Sequence, residues 1–298
     1  NRRLPYSDYP DPVPSQVWHA RQTIDYLQTS NFAILDLASK YRETLQLDQW
    51  RMARRQIQHG NEDHWTPTPK LLGIARERER EARESDEVIP AFEDPGLRDA
   101  RHYVMPADQP DFSAAVRLVR VLRRGGVEVH RLTEDSEVPG YGTAPTGSFV
   151  VHAAPAFRAH VRDMLEPQWH PDDLDGGEPV RPYDSAGWTM SMQMGVDVVK
   201  LRGGIELPCE PVTDVEVEFP PRDFGVRSGG WILDPRDSNL VTAVQRLHRT
   251  GASMSRLNEG FAIQDRKYPA GAIHVEQSPE AQAMLMASAI DSGLEAFS

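Results

Sequence analysis

The run His102-Tyr103-Val104-Met105-Pro106-Ala107-Asp108-Gln109-Pro110-Asp111-Phe112, with its continuation to Leu132, decides the fold. His102–Met105 reads as a short strand and Asp108–Asp111 as a turn. Phe112–Arg124 then carries Ala115, Val116, Val119 and Leu122 at helical spacing and is closed by Gly125-Gly126. Val127–Leu132 reads as a second strand, and Gly147-Ser148-Phe149-Val150-Val151 as a third. Strands alternating with helices of this length predict βαβ units. The fold class expected is therefore α/β, with an open, mostly parallel sheet.

The same grammar returns further along. Trp231-Ile232-Leu233 is a strand, Asp234–Asp237 a turn, Leu240–Arg249 a helix, Ala252–Leu257 a strand, and Gly271–Val275 another. Aligning Leu132 with Leu257 also pairs Val119 with Val244, Leu122 with Leu247 and Gly126 with Gly251, and Gly147 falls one residue out of register with Gly271. The sheet is thus expected to be built from two similar βαβ halves, about 102–151 and 231–275, within a domain spanning 100–298. Two copies of a long unit are too few for a solenoid.

Between the halves lie a strand-like stretch, 196–219, and the run Val180 to Val196, which contains Pro182-Tyr183-Asp184-Ser185-Ala186-Gly187-Trp188. Trp188, Met190, Met192 and Met194 alternate as in a strand, yet they also pair at i,i+4 as in a helix. Asp184 or Ser185 as an N-cap favours the helix. As a binding wall the segment offers Tyr183, Asp184 and Trp188. As a core helix its methionines fill gaps against the indole, a common packing contact.

Upstream of residue 100 the chain reads as a helical connector, 1–99. A proline-rich lead-in (1–14) precedes Ser15, a candidate N-cap, and a long helix expected over 15–58. Val17, Ala20, Ile24, Leu27, Asn31, Ile34, Ala38, Tyr41 and Leu45 step by three and four along one face. Gly60 marks its end, and a helix of this length packs on another domain or on a partner. Asn61 to Lys70 is a polar loop stiffened by Pro67 and Pro69. Residues 71–88 interleave Arg and Glu as a solvated helix, and Pro90 to Pro95 is a linker.

The chain has 298 residues with a formal net charge of -12, 39% hydrophobic and 26% charged residues, which describes an ordinary globular protein with a real core. Without a separate Lys/Arg cluster, nucleic-acid binding is not expected. No apolar run approaches the roughly 18 residues that cross a bilayer, so no membrane partner is expected either. The single cysteine, Cys209, excludes an intrachain disulfide. The start Asn1-Arg2-Arg3 lacks Met and a signal-peptide pattern, so either the beginning was removed or these residues belong to a longer protein.

Few residue patterns point to chemistry. His59-Gly60-Asn61-Glu62 spells the His-x-x-Glu of zinc carboxypeptidases, with His160 or His170 as nominal third ligand. Its context is wrong, because it follows a helix and not an apolar strand, and no Asn-Arg pair follows to grip a substrate carboxylate. Cys209 sits in the stiff Leu207-Pro208-Cys209-Glu210-Pro211, not in a nucleophile elbow, and the neighbouring carboxylate blunts it. Gly203-Gly204, Gly229-Gly230 and Gly140-Tyr141-Gly142 are turn glycines outside any G-x-G-x-x-G. His152, His160 and His170 with Asp172 and Asp173 read as scattered surface groups before they read as a metal site, and Asp234 and Asp237 as turn organisers. No catalytic residue and no metal ligand is assigned from spacing.

One succession of motifs adds to this. Trp18-His19-x-Arg21-Gln22-x-x-Asp25-Tyr26, Trp65-Thr66-Pro67-Thr68-Pro69-Lys70, Pro106-Ala107-Asp108-Gln109-Pro110-Asp111, Gly147–Val151 and Pro182-Tyr183-Asp184-x-x-Gly187-Trp188-Thr189 follow in that order. The order resembles the C-terminal half of large bacterial zinc carboxypeptidase-like proteins of the carboxypeptidase A superfamily, and it covers nearly the whole chain. The resemblance implies that zinc and the catalytic glutamate lie upstream of the Trp18 helix, so this chain holds no cofactor and is not by itself a peptidase. It also implies an α/β domain similar to class I glutamine amidotransferase folds but lacking their cysteine elbow. An upstream peptidase domain as partner, a peptide or protein substrate for the whole protein, and a secreted or periplasmic location follow in the same way. Two other readings stand beside it. One is a stand-alone small-molecule or peptide binding module with its ligand at the carboxyl ends of the strands; the other is a homo-oligomerisation element built on the Val17–Leu45 stripe.

Overall fold

The computed structural model describes residues 16–83, 88–168, 174–175, 178–180, 189–214, 217–220, 229–263 and 266–297. The chain divides into two units, residues 1–52 and 53–298.

The first unit holds helix α1 (Ala20–Lys40) and the first half of α2 (Arg42–Asn61), as far as Met52. The long helix expected over 15–58 is two helices, separated at Tyr41 (φ -107°, ψ 19°). The ladder passes through this break: Tyr41 N–H donates to the Leu37 carbonyl and Leu45 N–H to that of Tyr41, both at 2.9 Å. At its start, the Gln22 side chain accepts from the His19 N–H at 2.9 Å and the Trp18 indole donates to Thr23 at 2.6 Å. No residue of α1 is buried, and Trp18, Ile24, Leu27, Phe32 and Ile34 are each more than half exposed.

The second unit opens with the end of α2, a loop, and α3 (Pro69–Glu81). This helix starts earlier than the expected 71–88 because Thr68 Oγ1 accepts from Leu71 N–H at 3.2 Å and Pro69 fits the first turn. Arg78 leaves its own helix to donate to Asp94 at 2.8 Å and to the Ile89 carbonyl at 2.9 Å.

Next come β1 (His102–Met105), α4 (Phe112–Arg124), β2 (His130–Leu132), the hairpin β3 (Ser136–Val138) and β4 (Gly142–Ala144), β5 (Phe149–His152) and α5 (Arg158–Leu165). The short strands β6 (Leu174–Asp175) and β7 (Glu178–Pro179), helix α6 (Met190–Met194), β8 (Val199–Leu201) and β9 (Cys209–Pro211) follow. Five of these strands form a sheet in the order β8-β1-β5-β2-β9, and every neighbouring pair is antiparallel.

That corrects the expected mostly parallel sheet. β1 and β2 do point the same way, as a helical crossover requires. The third strand, β5, returns after the β3–β4 hairpin and enters between them running the other way. Such a split βαβ arrangement is a known supersecondary motif. The apolar runs were misleading for a physical reason. Tyr103 and Met105 face one core and Val104 the opposite one; Phe149 and Val151 face the first and Val150 the second. A strand buried on both faces reads as a continuous apolar run whatever the direction of its neighbours.

The remaining chain gives β10 (Trp231–Leu233), α7 (Leu240–Arg249), β11 (Met254–Arg256), the hairpin β12 (Phe261–Ile263) and β13 (Arg266–Tyr268), β14 (Ile273–Val275), α8 (Pro279–Ser292) and β15 (Ala296–Phe297). Its four-stranded sheet, β11-β14-β10-β15, is also antiparallel throughout. The path is the same in both sheets: strand, helix, strand, hairpin, then a strand inserted in the middle. Local bonds repeat as well. Val127 N–H donates to Leu122 O at 3.0 Å and Ala252 N–H to Leu247 O at 3.2 Å; Gly147 N–H donates to Leu132 O at 2.9 Å and Gly271 N–H to Leu257 O at 2.7 Å.

Helices α4, α5 and α6 cover one face of the first sheet, and α7 and α8 pack on the second. Burying each large apolar side chain, such as Leu118, Leu122, Leu247 or Leu285, contributes roughly 1.5–3 kcal/mol. The two sheets are joined where their helices begin. Asp111 caps α4 through Ala114 N–H at 2.9 Å, and its other oxygen accepts from Ser238 N–H at 2.9 Å, while Asn239 Nδ2 donates to Ser113 Oγ at 2.8 Å. Among the described residues, no helix is long and apolar enough to cross a membrane.

Candidate functional site

The densest polar cluster lies where the loop after α2 meets α5. Asp99, 7% exposed, accepts from His64 Nδ1 at 2.8 Å, from Thr66 N–H at 3.1 Å, from Thr66 Oγ1 at 2.7 Å and from Arg158 Nη2 at 2.6 Å. Arg162 Nη2 stands 3.4 Å from its second oxygen. A carboxylate only accepts, so the proton on His64 sits on Nδ1. Burial alone would raise the Asp99 pKa. The bonds from His64, Thr66 and Arg158, with the charge of Arg162, overcome it and hold the carboxyl well below the usual range.

Glu166 is the second centre. It accepts from Tyr103 OH at 2.5 Å, from Lys200 Nζ at 2.8 Å and from Arg162 Nη2 at 3.3 Å. Arg162 also donates to Thr66 Oγ1, which ties the two carboxylates into one network. Burial pushes the Glu166 pKa up, but Arg162, Lys200 and the Tyr103 hydroxyl bring it below normal. Burial, with Glu166 beside it, pushes the Tyr103 phenol well above its ordinary value, so it stays a donor. Arg158, Arg162 and Lys200 are thus matched to two carboxylates and engaged in pairs. That arrangement ties the loop after α2, β1, α5 and β8 together.

Two clefts flank the network. One of about 470 Å³ is lined by His59, His64, Thr66, Arg162 and Gln168, and one of about 290 Å³ by Lys70, Ile74, Glu166, Lys200 and Arg202. A third, of about 500 Å³, is lined by Ala107, Phe112, Arg131, Gly147, Glu210 and Phe219 among others.

The residues singled out in the sequence fall as follows. Tyr183, Asp184 and Trp188 lie outside the described residues, as do His170, Asp172 and Asp173. Beyond Trp188 the chain is helical over α6, whose Met190 and Met194 pack on the first core. His59 and Glu62 are one turn apart at the end of α2. The His59 ring stacks on His64 with centroids 3.8 Å apart, and Glu62 accepts from Gln58 at 3.4 Å. Among the described residues no set of three His, Cys, Asp or Glu side chains converges to hold a metal, His59 and Glu62 included.

Cys209 is half-buried in β9, and burial raises its pKa. Asp234 receives the N–H, Nε and Nη2 of Arg236 at 2.9, 3.0 and 2.7 Å. Asp237 receives Asn239 N–H at 2.8 Å and Glu295 N–H at 3.1 Å. His160 lies beside Gly125, whereas His152 joins His102 and His130.

Sequence reasoning missed Asp99, Arg158, Arg162, Glu166, Tyr103 and Lys200. A signal existed in α5, where Arg158, Arg162 and Glu166 recur every four residues beside Val161 and Leu165, so charges lie on a buried helix. No signal marked Asp99 or Lys200 as their partners. Compared with family models, with curated proteins and with solved structures, the chain matches none.

Proposed function

We propose that this chain is the non-catalytic C-terminal part of a zinc metallocarboxypeptidase-like peptidase, in which the helical unit docks on the peptidase domain and the two-sheet unit shapes substrate access. The observation that carries the reading is α1, a helix of 21 residues with an apolar stripe and no buried residue. A helix of that composition is stable only when its apolar face is covered. The ordered motifs from Trp18 to Thr189, by their resemblance, support a peptidase domain as the cover. The active-site zinc, with a zinc-activated water attacking a terminal peptide bond, belongs to the upstream domain. A secreted or periplasmic location goes with this reading.

The two-sheet unit supports the same division of labour. Its strongest ion network is closed on itself, and Cys209 is held in its unreactive thiol form. Sizing the native protein from its source, with metal analysis, tests the proposal. A mass well above 33.5 kDa with zinc in the added part agrees with it. A metal-free 33.5 kDa species, or its simple multiple, sinks it.

A second reading, a small-molecule or peptide binding module, is favoured by the cleft of about 500 Å³ lined by Ala107, Phe112, Arg131 and Glu210. A thermal shift with one member of a ligand panel, abolished by filling the cleft at Ala107, distinguishes it.

A further inference from the structure

Three histidines gather on one face of the first sheet, away from the Asp99 network. His102 opens β1 and His152 closes β5, and the two are direct cross-strand partners. His130 opens β2 opposite Val150, which puts it on the same face as His152, two positions along. The Nδ1 atoms of His102 and His152 are 2.8 Å apart. The ring of His152 stands 4.9 Å from that of His102 and 4.5 Å from that of His130, centroid to centroid. A cleft of about 300 Å³, lined by Gly60, Asn61, Arg101 and Gly204, opens onto the His102–His152 pair.

As a purely structural feature this grouping is costly. One Nδ1–H donating to the other Nδ1 satisfies the His102–His152 pair, but the buried Nδ1 of His130 meets no partner among the described residues. An orphaned buried polar atom is destabilising. A ligand that accepts electron pairs from all three removes that cost.

We propose that His102 and His152, with His130 turning in as third ligand, bind one borderline divalent transition ion of the zinc, nickel and copper group. Imidazole nitrogen suits these ions. Two nitrogens on a tetrahedral zinc, at about 2.0–2.1 Å each, stand roughly 3.3 Å apart. The observed pair therefore needs to open by only about 0.5 Å. The rings do not converge ready-made, so rotation of His130 accompanies binding. The site is separate from the zinc of the upstream domain and does not depend on the proposed docking.

The test is calorimetric titration of the full 298-residue chain with zinc chloride, and then with nickel chloride. One equivalent binds to the unaltered chain. His102→Ala and His152→Ala each weaken binding by at least about tenfold, and His130→Ala by about tenfold. His59→Ala and His160→Ala leave it unchanged. No saturable binding, or binding unaffected by His102→Ala and His152→Ala, overturns the proposal, as does loss of binding in His59→Ala alone. Should a variant misfold, the unaltered chain still decides: zinc protects His102 and His152 from carbethoxylation, and equal labelling with and without zinc contradicts the site.

Discussion

Arg158 donates its Nη2 to Asp99 Oδ2 at 2.6 Å, with both side chains almost fully buried. The bond joins α5 to the segment just before β1, and through His64 and Thr66 it also holds the loop that follows α2. Asp99→Ala leaves the buried Arg158 and part of Arg162 uncompensated. The expected loss is about 3–5 kcal/mol, read from the urea midpoint. The double variant Asp99→Leu/Arg158→Met loses clearly less, because it removes both charges instead of stranding one.

The same carboxylate sets an acid limit. The folded-state pKa of Asp99, and to a lesser degree that of Glu166, lies below the unfolded value. Their contribution is therefore fully present above the ordinary carboxylate pKa of about 4 and is lost as pH falls towards the folded values. His102, lowered to about 4 by burial and by neighbouring His152 and Arg101, acts in the same direction, since the unfolded chain takes up its proton first. Its loss begins near the ordinary histidine value of about 6.5. Thermal midpoints are expected to fall from about pH 6.5 downwards, most steeply below about pH 4. In Asp99→Asn the steep lower part flattens while the upper part remains.

Gly60 packs so tightly that an added Cβ would stand 2.3 Å from the Ala153 carbonyl oxygen and 2.4 Å from Ala154 Cα. Backbone must shift to admit it, so Gly60→Ala is expected to destabilise by at least about 1–3 kcal/mol. Gly73, inside α3, has nothing within 4 Å of such a Cβ. Gly73→Ala should therefore stabilise by roughly 0.5–1 kcal/mol through helix propensity. Opposite signs for the two substitutions in one denaturation series check both statements.

Much of the local structure was legible in the sequence. His102–Met105, Phe112–Arg124, Trp231–Leu233 and Leu240–Arg249 occupy the residues their periodicity predicted, because each carries its own apolar pattern and its own stop. Strand direction was not legible. Val150 pairs with Val104 on one side and His130 on the other, and nothing within Phe149–His152 encodes which neighbours it enters between. The Asp99 network was hidden for a related reason. Asp99 lies 33 residues from Thr66, 35 from His64 and 59 from Arg158, at a position where a charged residue ordinarily means solvent. The proposed binding wall, Tyr183, Asp184 and Trp188, lies outside the described residues.

The stripe on α1 gives a prediction that separates folding from docking. Leu27 and Ile34 are 61% and 62% exposed, so Leu27→Gln and Ile34→Gln should each change the stability of the chain by no more than about 0.5 kcal/mol. On the proposed docking, the double variant of the longer protein should nevertheless elute earlier, as a more extended species, on size-exclusion chromatography.

Oxidative footprinting of Trp18, Tyr26 and Phe32, comparing the protein isolated from its source with the 298-residue chain alone, tests the docking claim most directly. These three side chains are 51%, 65% and 63% exposed in this chain. The account predicts strong labelling in the chain alone and protection in the native protein. Equal labelling in the two contradicts it.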